Sequence, residues 1–346
     1  HAVTFLEESV DGKKPFFLYV AYIAPHWPLH AREKTIAPYR ERYRKQGWND
    51  WRVARIERQQ KMGLLPGDAK PAPYPANVPD WSKDKYKDWQ AERMAVYAAQ
   101  ISNVDRGVGR MVDVLKQSGQ LDNTLILFLS DNGAAPNGGF VPSNNGFGFS
   151  PNSSNNTWRK DGVAIRPGSG PKLMPGPHDT FAGYGLAWAL TSNTPLRNAK
   201  MSAYEGGIRT PLIAHWPKVI KKGNGLTRQP GHVIDLMATC LDLADQEYPA
   251  EFQNRRPIPV EGKSLAPILR GEQRAGHETL AWKNASGRAL MMGDWKIVRP
   301  GDKRPWELYD LSSDPGETTN LAKQHPARVK DMADRYETWR QRVGAR

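Results

Sequence analysis

The spacing of apolar residues predicts alternating helices and strands over the first part of the chain. Residues 1–10 have the pattern of the end of an amphipathic helix, and the apolar, aromatic-rich residues 16–21 predict a buried strand. Apolar residues recur at helical spacing between residues 92 and 117, which predicts a long helix. The chain then turns into the short apolar run 124–129, which predicts a strand buried on both faces.

A helix, a short turn and an all-apolar strand in this order are typical of βαβ layers. The pattern therefore predicts an α/β fold in which helices flank a layered sheet. In such folds ligands collect at the carboxyl ends of the strands. Residues 133–185 are rich in Gly, Asn, Ser and Pro and much longer than an ordinary connection, which indicates a functional loop wall. The core pattern returns at residues 211–216.

The pattern changes again towards the C-terminus. Short apolar runs separated by glycine turns predict antiparallel strands at residues 278–283, 288–298 (with a turn at 293–294) and 306–310. Residues 327–343 then predict an amphipathic helix. We therefore expect a larger α/β part at residues 1–256 and a small C-terminal α+β subdomain, one antiparallel sheet with a helix, at residues 257–346.

Composition narrows the class of protein without identifying it. The 346 residues are 39% hydrophobic and 25% charged, which is ordinary for a globular protein. The net charge of +13 does not favour nucleic-acid binding, because the basic residues are scattered and acidic residues interrupt their densest run, residues 40–58. No apolar run approaches the roughly 20 residues needed to span a membrane. The lone Cys240 excludes an internal disulfide framework and is expected to be buried.

The tetrapeptide Ser-Asp-Asn-Gly at residues 130–133 is the strongest chemical signal in the chain. It follows a predicted buried strand, and Asp131 and Asn132 offer oxygen ligands of the kind that calcium prefers. Two residues supply only part of a calcium shell, so other segments would have to contribute. The alternative is that Asp-Asn-Gly simply forms a turn.

A histidine between two prolines is the second signal. His26 follows the predicted strand at residues 16–21, and the flanking prolines restrict its backbone. Such a side chain suits donation to an anion or proton transfer to a leaving oxygen. The alternative is a structural histidine in a proline-rich turn, which is also our interpretation of His30, His215 and His232.

The third signal lies at residues 193–211. Lys200 precedes the pair Gly206-Gly207, and a fixed ammonium group in such a place could stabilise an oxyanion. The two glycines allow a close backbone approach. Glu205 and Arg209 could equally form a structural ion pair.

Taken together and in this order, these segments resemble the formylglycine-dependent sulfatases of the arylsulfatase type, in the alkaline-phosphatase-like superfamily. The resemblance covers nearly the whole chain. The matching segments are residues 15–29, with the Ala-Pro-His sequence; 122–133, with Asp-Asn-Gly; 192–217, with the lysine and Glu-Gly-Gly; and 293–298 and 308–321 in the C-terminal subdomain. On this basis residues 1–256 are the C-terminal part of a catalytic domain.

The resemblance implies a role for each matching residue. Asp131 and Asn132 would be calcium ligands, His26 and Lys200 would bind the sulfate, and either of the latter could assist the departing alcohol oxygen. The family's nucleophile is a formylglycine made from a Cys/Ser-x-Pro-x-Arg motif. This sequence has no such motif, and Cys240 does not match it. We therefore expect the nucleophile-bearing segment to be missing and residues 1–346 alone to be inactive.

The same resemblance implies partners and leaves alternatives open. The substrate would be a sulfated small molecule or glycan, a formylglycine-generating or sulfatase-maturing enzyme would act on the full-length chain, and the protein would be periplasmic or secreted. One alternative is a phosphodiesterase or phosphonate hydrolase of the same superfamily, which would usually have histidines among its metal ligands. Another is a non-catalytic homologue that binds sulfated glycans.

Overall fold

The structure is a computed structural model that describes residues 1–12, 14–136, 166, 170–221, 225–284 and 287–345. Most of the predicted loop wall at residues 133–185 lies outside these ranges, so its role stays a prediction. The helices are α1 (Ala2–Val10), α2 (Glu33–Lys45), α3 (Trp48–Lys61), α4 (Lys87–Gln117), α5 (Gly185–Ser192), α6 (Glu205–Ile208), α7 (Asp235–Leu243), α8 (Ala266–Leu269) and α9 (Pro326–Arg342). The strands are β1 (Ile126–Leu129), β2 (Leu212–His215), β3 (Leu280–Lys283), β4 (Arg288–Met292), β5 (Trp295–Arg299) and β6 (Glu307–Asp310).

The long helix expected from the apolar spacing is α4. It begins at Lys87, a few residues before the predicted start, and ends at Gln117 as predicted. Asp88 in its first turn and Lys116 in its last turn complement the helix dipole. Gly119 adopts φ 71°, a left-handed conformation that suits glycine and ends the helix.

The core of the larger part is built around two tryptophans on α3 and α5. Trp48 and Trp188 are fully buried and meet edge to face, with ring centroids 5.7 Å apart. Their indole nitrogens donate to backbone carbonyls of Pro79 and Gln90, so neither polar group is left unpaired. Helix α4 contributes Val96 and other small apolar side chains to the same hydrophobic cluster.

The strand predicted at residues 124–129 exists as β1, but the prediction that both its faces are buried is wrong. Strands β1 and β2 form an antiparallel pair with Ile126 opposite His215. Phe128 is 47% exposed and Ile213 60% exposed, so the expectation of a core strand at residues 211–216 fails as well. Burial on both faces requires a layer on each side, and within the described ranges this sheet has two strands and exposed apolar side chains.

The strand predicted at residues 16–21 is also absent. This segment is extended without a strand assignment, and Phe17 and Tyr19 are 74% and 80% exposed. A strand needs a neighbour to satisfy its backbone, and residues 16–21 pair with no described strand.

The C-terminal prediction is confirmed. The four strands pair antiparallel in the order β3-β4-β5-β6, and Gly293, at φ 57°, makes the predicted turn between β4 and β5. On one face Leu290, Ile297 and Leu308 are fully buried against α9. On the other face Ala289, Val298 and Tyr309 pack against Ala203 and Tyr204, which belong to the larger part of the chain.

These elements confirm the predicted mixed α/β fold class. The boundary between residues 256 and 257 stays a prediction. None of the helices in the described ranges combines the length and apolar character that a bilayer crossing requires. Cys240 lies on α7 and is half-buried rather than buried, and burial raises the pKa of its thiol.

Candidate functional site

The predicted calcium ligands lie where β1 ends. Thr210 Oγ1 donates to the carbonyl of Ser130 at 2.8 Å and fixes the start of the turn. Asn132 Nδ2 donates to the carbonyl of Gly133 at 3.0 Å. Among the described residues, neither the exposed Asp131 carboxylate nor Asn132 Oδ1 receives a hydrogen bond. Two adjacent oxygen groups therefore remain available.

Glycines bring this turn against α6. The Gly133 N–H donates to the carbonyl of Gly207 at 3.0 Å. A Cβ added at Gly133 would lie 1.8 Å from the Gly206 carbonyl oxygen, and one at Gly206 would lie 2.2 Å from the Asn198 oxygen. The close backbone approach expected at the Gly-Gly pair is therefore present, and it requires glycine on both sides of the contact.

Lys200 is held beside the same turn. The backbone N–H of Lys200 donates to the carbonyl of Ala134 at 2.9 Å, so the segments that carry Asp131 and Lys200 are joined directly. The flanking residues Asn198 and Met201 have positive φ angles of 68° and 72°, which gives this stretch a tight, irregular course. Lys200 is half-buried, and no ion pair or hydrogen bond joins its ammonium group to another described residue.

Asn193 links the two segments, a role that the sequence reasoning did not assign. Its Oδ1 accepts from the N–H of Ala134 at 2.9 Å. Its Nδ2 donates to the carbonyls of Asn198 at 2.9 Å and Gly206 at 2.7 Å. Asn193 follows the last turn of α5, where an amide side chain is common, so its sequence position carries no specific signal.

His26 lies in an exposed position on a separate segment. Its Nδ1 donates to the carbonyl of Trp27 at 2.6 Å, which leaves Nε2 as the free ring nitrogen. The Trp27 ring meets Phe181 edge to face at 5.0 Å. Leu29, three residues later, donates from its N–H to the carbonyl of Ala182 at 2.8 Å.

One hydrophobic cluster anchors all three segments. Leu29 and Ala199 are fully buried in the cluster around Trp188, and Ala134 packs against it. The structure thus joins the segments of Asp131 and Lys200 by hydrogen bonds and connects the His26 segment to them through shared packing. The chemical roles of these side chains stay predictions.

The structure also shows the contacts of one charged pair and two histidines that the sequence analysis singled out. Glu205 and Arg209 form the ion pair that the sequence left open as an alternative, at 3.5 Å. His30 Nε2 donates to the carbonyl of Thr180 at 2.6 Å, which fits a structural role. His232 lies beside Trp282, and burial lowers its pKa.

The donor set at the end of β1 fits a hard cation better than a transition metal. A carboxylate and an amide oxygen from neighbouring residues are ligands that calcium prefers. In the part of the chain that the structure describes, no group of three or more His, Cys, Asp or Glu side chains could hold a metal ion.

Comparison with known proteins places this chain in a family. The family described as Sulfatase matches residues 1–246, and the one described as N-sulphoglucosamine sulphohydrolase, C-terminal, matches residues 198–341. The first match covers more than half of the chain, which therefore belongs to the sulfatase family, as the resemblance implied.

Relatives extend the match over almost the whole chain. An uncharacterized sulfatase of Schizosaccharomyces pombe is 33% identical over 98% of this chain and 61% of its own length. An arylsulfatase of Klebsiella aerogenes is 29% identical over 78% of this chain and 54% of its own length. The chain thus spans somewhat more than half the length of these relatives.

Solved structures confirm the fold. Ps i-CgsB in complex with k-i-k-neocarrahexaose has a TM-score of 0.59 at 24% identity, over 98% of this chain and 52% of that chain. A phosphonate monoester hydrolase from Silicibacter pomeroyi has a TM-score of 0.54 at 20% identity, over 99% of this chain and 60% of that chain.

Proposed function

We propose that this chain supplies the calcium-binding and sulfate-binding side of a sulfuric ester hydrolase of the arylsulfatase type. The observation that carries the proposal is the direct joining of two predicted site segments. The Lys200 N–H bonds to the Ala134 carbonyl, and the Gly133 N–H bonds to the Gly207 carbonyl. An acidic turn and a lysine with a free ammonium group therefore lie side by side, which is the pairing that a bound cation and an anionic ester require.

Each side chain has a role in this proposal. Asp131 and Asn132 Oδ1 hold calcium, which when bound neutralises charge on the sulfate oxygens. Lys200 holds the sulfate from a half-buried position, where an ammonium group interacts more strongly with an anion than it does in water. His26 presents its free Nε2 to the ester and binds the sulfate or passes a proton to the leaving oxygen.

The nucleophile belongs to a part of the site that this sequence does not encode. In this proposal a formylglycine, made by a formylglycine-generating or sulfatase-maturing enzyme, completes the site, and residues 1–346 alone do not turn over an aryl sulfate. The substrate is a sulfated small molecule or a glycan. The oligosaccharide in the Ps i-CgsB complex supports the glycan class.

A phosphonate hydrolase is the competing enzyme function, because such an enzyme shares the fold. The ligand types at the end of β1 favour the sulfatase. Asp131 and Asn132 offer oxygen ligands, and no described histidine belongs to a group of three or more His, Cys, Asp or Glu side chains that could hold a metal ion.

The experiment is a calorimetric titration of residues 1–346 with calcium, repeated for Asp131→Ala and for Asp122→Ala. Asp122 is an exposed aspartate before β1 and serves as the matched control. Because Asp131 and Asn132 supply only part of a calcium shell, we expect weak but saturable binding, completed by water ligands, that Asp131→Ala weakens by roughly 10-fold or more and Asp122→Ala leaves unchanged. Titrations with manganese and zinc run in parallel.

Three outcomes contradict the proposal. Equal loss of calcium binding in both variants shows nonspecific binding. Preference for manganese or zinc over calcium favours the phosphonate hydrolase. Turnover of an aryl sulfate by residues 1–346 alone contradicts the assignment of the nucleophile to a residue outside this sequence.

A further inference from the structure

A lysine in the C-terminal sheet is buried with two glutamates from different segments. Lys296 on β5 is fully buried, and its Nζ lies 2.7 Å from Glu205 Oε1 and 2.8 Å from Glu317 Oε1. The second oxygen of Glu317 accepts from the backbone N–H of Glu205 at 2.7 Å. The cluster therefore joins β5, the loop after β6 and the first residue of α6.

Such a cluster is a poor source of stability, because removing charges from water costs free energy that their attraction only partly offsets. A buried ion cluster instead restricts the groups that it binds to one arrangement, a role attested in some proteins. Glu205 is restricted here at its carboxylate and at its backbone N–H. The start of α6 is therefore fixed from the C-terminal sheet.

The fixed end of α6 is the part that contacts the candidate site. The carbonyl of Gly206 accepts from Asn193, and the carbonyl of Gly207 accepts from the N–H of Gly133. Gly133 is two residues from Asp131. A shift of Glu205 would therefore be passed to the turn that carries the predicted calcium ligands.

A second set of contacts holds the other end of the same stretch. Arg197 donates to the hydroxyl of Tyr309 at 2.8 Å and to the carbonyl of Glu317 at 3.0 Å. Its guanidinium lies 4.1 Å from the ring centre of Tyr204. The hydroxyls of Tyr204 and Tyr309 both donate to Glu307. Lys200 thus lies on a stretch held at both ends by the C-terminal sheet.

We propose that Lys296 and Glu317 are positioning residues for the candidate site, and that the C-terminal subdomain sets the geometry of the turn at residues 131–134 and of Lys200. The proposal rests on the proposed function for what the site binds. The positioning itself can be measured without any ligand.

The experiment compares Glu317→Ala, Glu317→Gln and Lys296→Met in the full chain. Hydrogen exchange is read at the amides of Gly133 and Lys200, and calcium affinity is measured by titration. Glu317→Ala keeps the Lys296 charge balanced by Glu205 but removes the acceptor for the Glu205 N–H. We expect Glu317→Ala to raise the exchange rate at both amides by roughly 10-fold, which corresponds to about 1.4 kcal/mol in the free energy of local opening. We also expect it to weaken calcium binding.

Glu317→Gln retains one oxygen acceptor, which can take the Glu205 N–H, but its NH2 group then faces Lys296. We therefore expect it to change both measurements less than Glu317→Ala does. Lys296→Met leaves two carboxylates without their cation, so its effect should exceed that of Glu317→Ala. If that variant does not fold, the two Glu317 variants still decide the question.

Met332→Ala is the matched control for lost stability. Met332 is fully buried on the opposite face of the same sheet, against α9, and it does not contact the cluster. The exchange rate at the Gly133 and Lys200 amides is divided by the exchange rate at the β1 amides, which report general destabilisation. We expect Met332→Ala to leave this ratio unchanged.

Equal ratios in Met332→Ala and Glu317→Ala overturn the positioning role. If the wild-type chain binds no calcium but Glu317→Ala still raises exchange at Gly133 and Lys200, the proposed function fails and the positioning role stands. If Asp131→Ala removes calcium binding but Glu317→Ala changes neither calcium binding nor exchange, the proposed function stands and the positioning role fails.

Discussion

The two sheets of this protein have similar apolar sequences and very different surroundings. In the β1–β2 pair, Phe128 and Ile213 are 47% and 60% exposed. In the C-terminal sheet, Leu290, Ile297 and Leu308 are fully buried. The C-terminal sheet has α9 on one face and residues 203–204 on the other, whereas β1 and β2 have no described layer covering Phe128 and Ile213.

This contrast indicates which part of the molecule fixes the candidate site. The site turn follows the exposed strand β1, but its geometry is held from α6, which is tied to the buried sheet by Glu205 and Lys296. We infer that the C-terminal sheet, which carries no predicted catalytic side chain, controls the arrangement of the side chains that do.

The largest expected effect is a difference in the free energy of unfolding between two variants, one with a substitution in each sheet. Leu290→Ala removes a fully buried side chain and should lower the free energy of unfolding by about 2–5 kcal/mol. Ile213→Ala removes a side chain that is 60% exposed and should cost less than about 1 kcal/mol. Urea denaturation of both variants measures the difference. Similar costs would show that the β1–β2 sheet is covered in solution.

The next effect concerns the contact between Gly133 and α6. Gly133→Ala places a Cβ 1.8 Å from the Gly206 oxygen, so the turn must move, at a cost of about 1–3 kcal/mol. Gly109→Ala is the control, because an added Cβ there meets nothing within 4 Å and alanine favours the helix by about 0.5–1 kcal/mol. Denaturation and calcium titration check both variants. A Gly133→Ala protein with unchanged stability and calcium affinity would contradict the close approach.

The smallest expected effect is a dependence of stability on pH. Burial raises the pKa of Glu317 to about 7, although Lys296 favours its carboxylate. The folded protein therefore binds this proton more tightly than the unfolded chain. Its contribution to stability is fully present below about pH 4.5 and is lost as the pH rises through about 7.

Glu317→Gln should remove this contribution to the pH dependence between about pH 4.5 and 7. Glu205 has the opposite sign, because its pKa is lowered: burial opposes the lowering, but Lys296 and Arg209 outweigh it. The contribution of Glu205 to stability is lost only as the pH falls below the ordinary pKa of a glutamate. Thermal denaturation of the wild type and of Glu317→Gln at several pH values tests the sign, and a wild type that gains stability relative to Glu317→Gln over this window would contradict it.

Local pattern was sufficient for elements whose partners are near in the chain. The helix α4, the four C-terminal strands and α9 follow from apolar spacing and glycine turns. The strand expected at residues 16–21 and the burial of β1 could not be predicted, because both depend on layers that a short window of sequence does not reveal.

The candidate site was predictable to a similar extent. Asp131 and His26 stand out because turn residues and prolines follow apolar runs, and Lys200 was found through its neighbouring glycines. Asn193 and Lys296 were missed because an amide after a helix and a lysine on a short strand are ordinary surface features. Their roles arise from contacts between residues that are far apart in the chain.

In the proposed site, His26 and Lys200 converge on a cation held by Asp131 and Asn132. A paramagnetic lanthanide, which takes the oxygen ligands of a calcium site, tests it most directly by NMR of residues 1–346. We expect strong broadening of the His26 ring and Lys200 side-chain signals, no effect on those of His325 and Lys330 at α9, and loss of the broadening in Asp131→Ala. Equal broadening of all four residues, or none at His26 and Lys200, would contradict it.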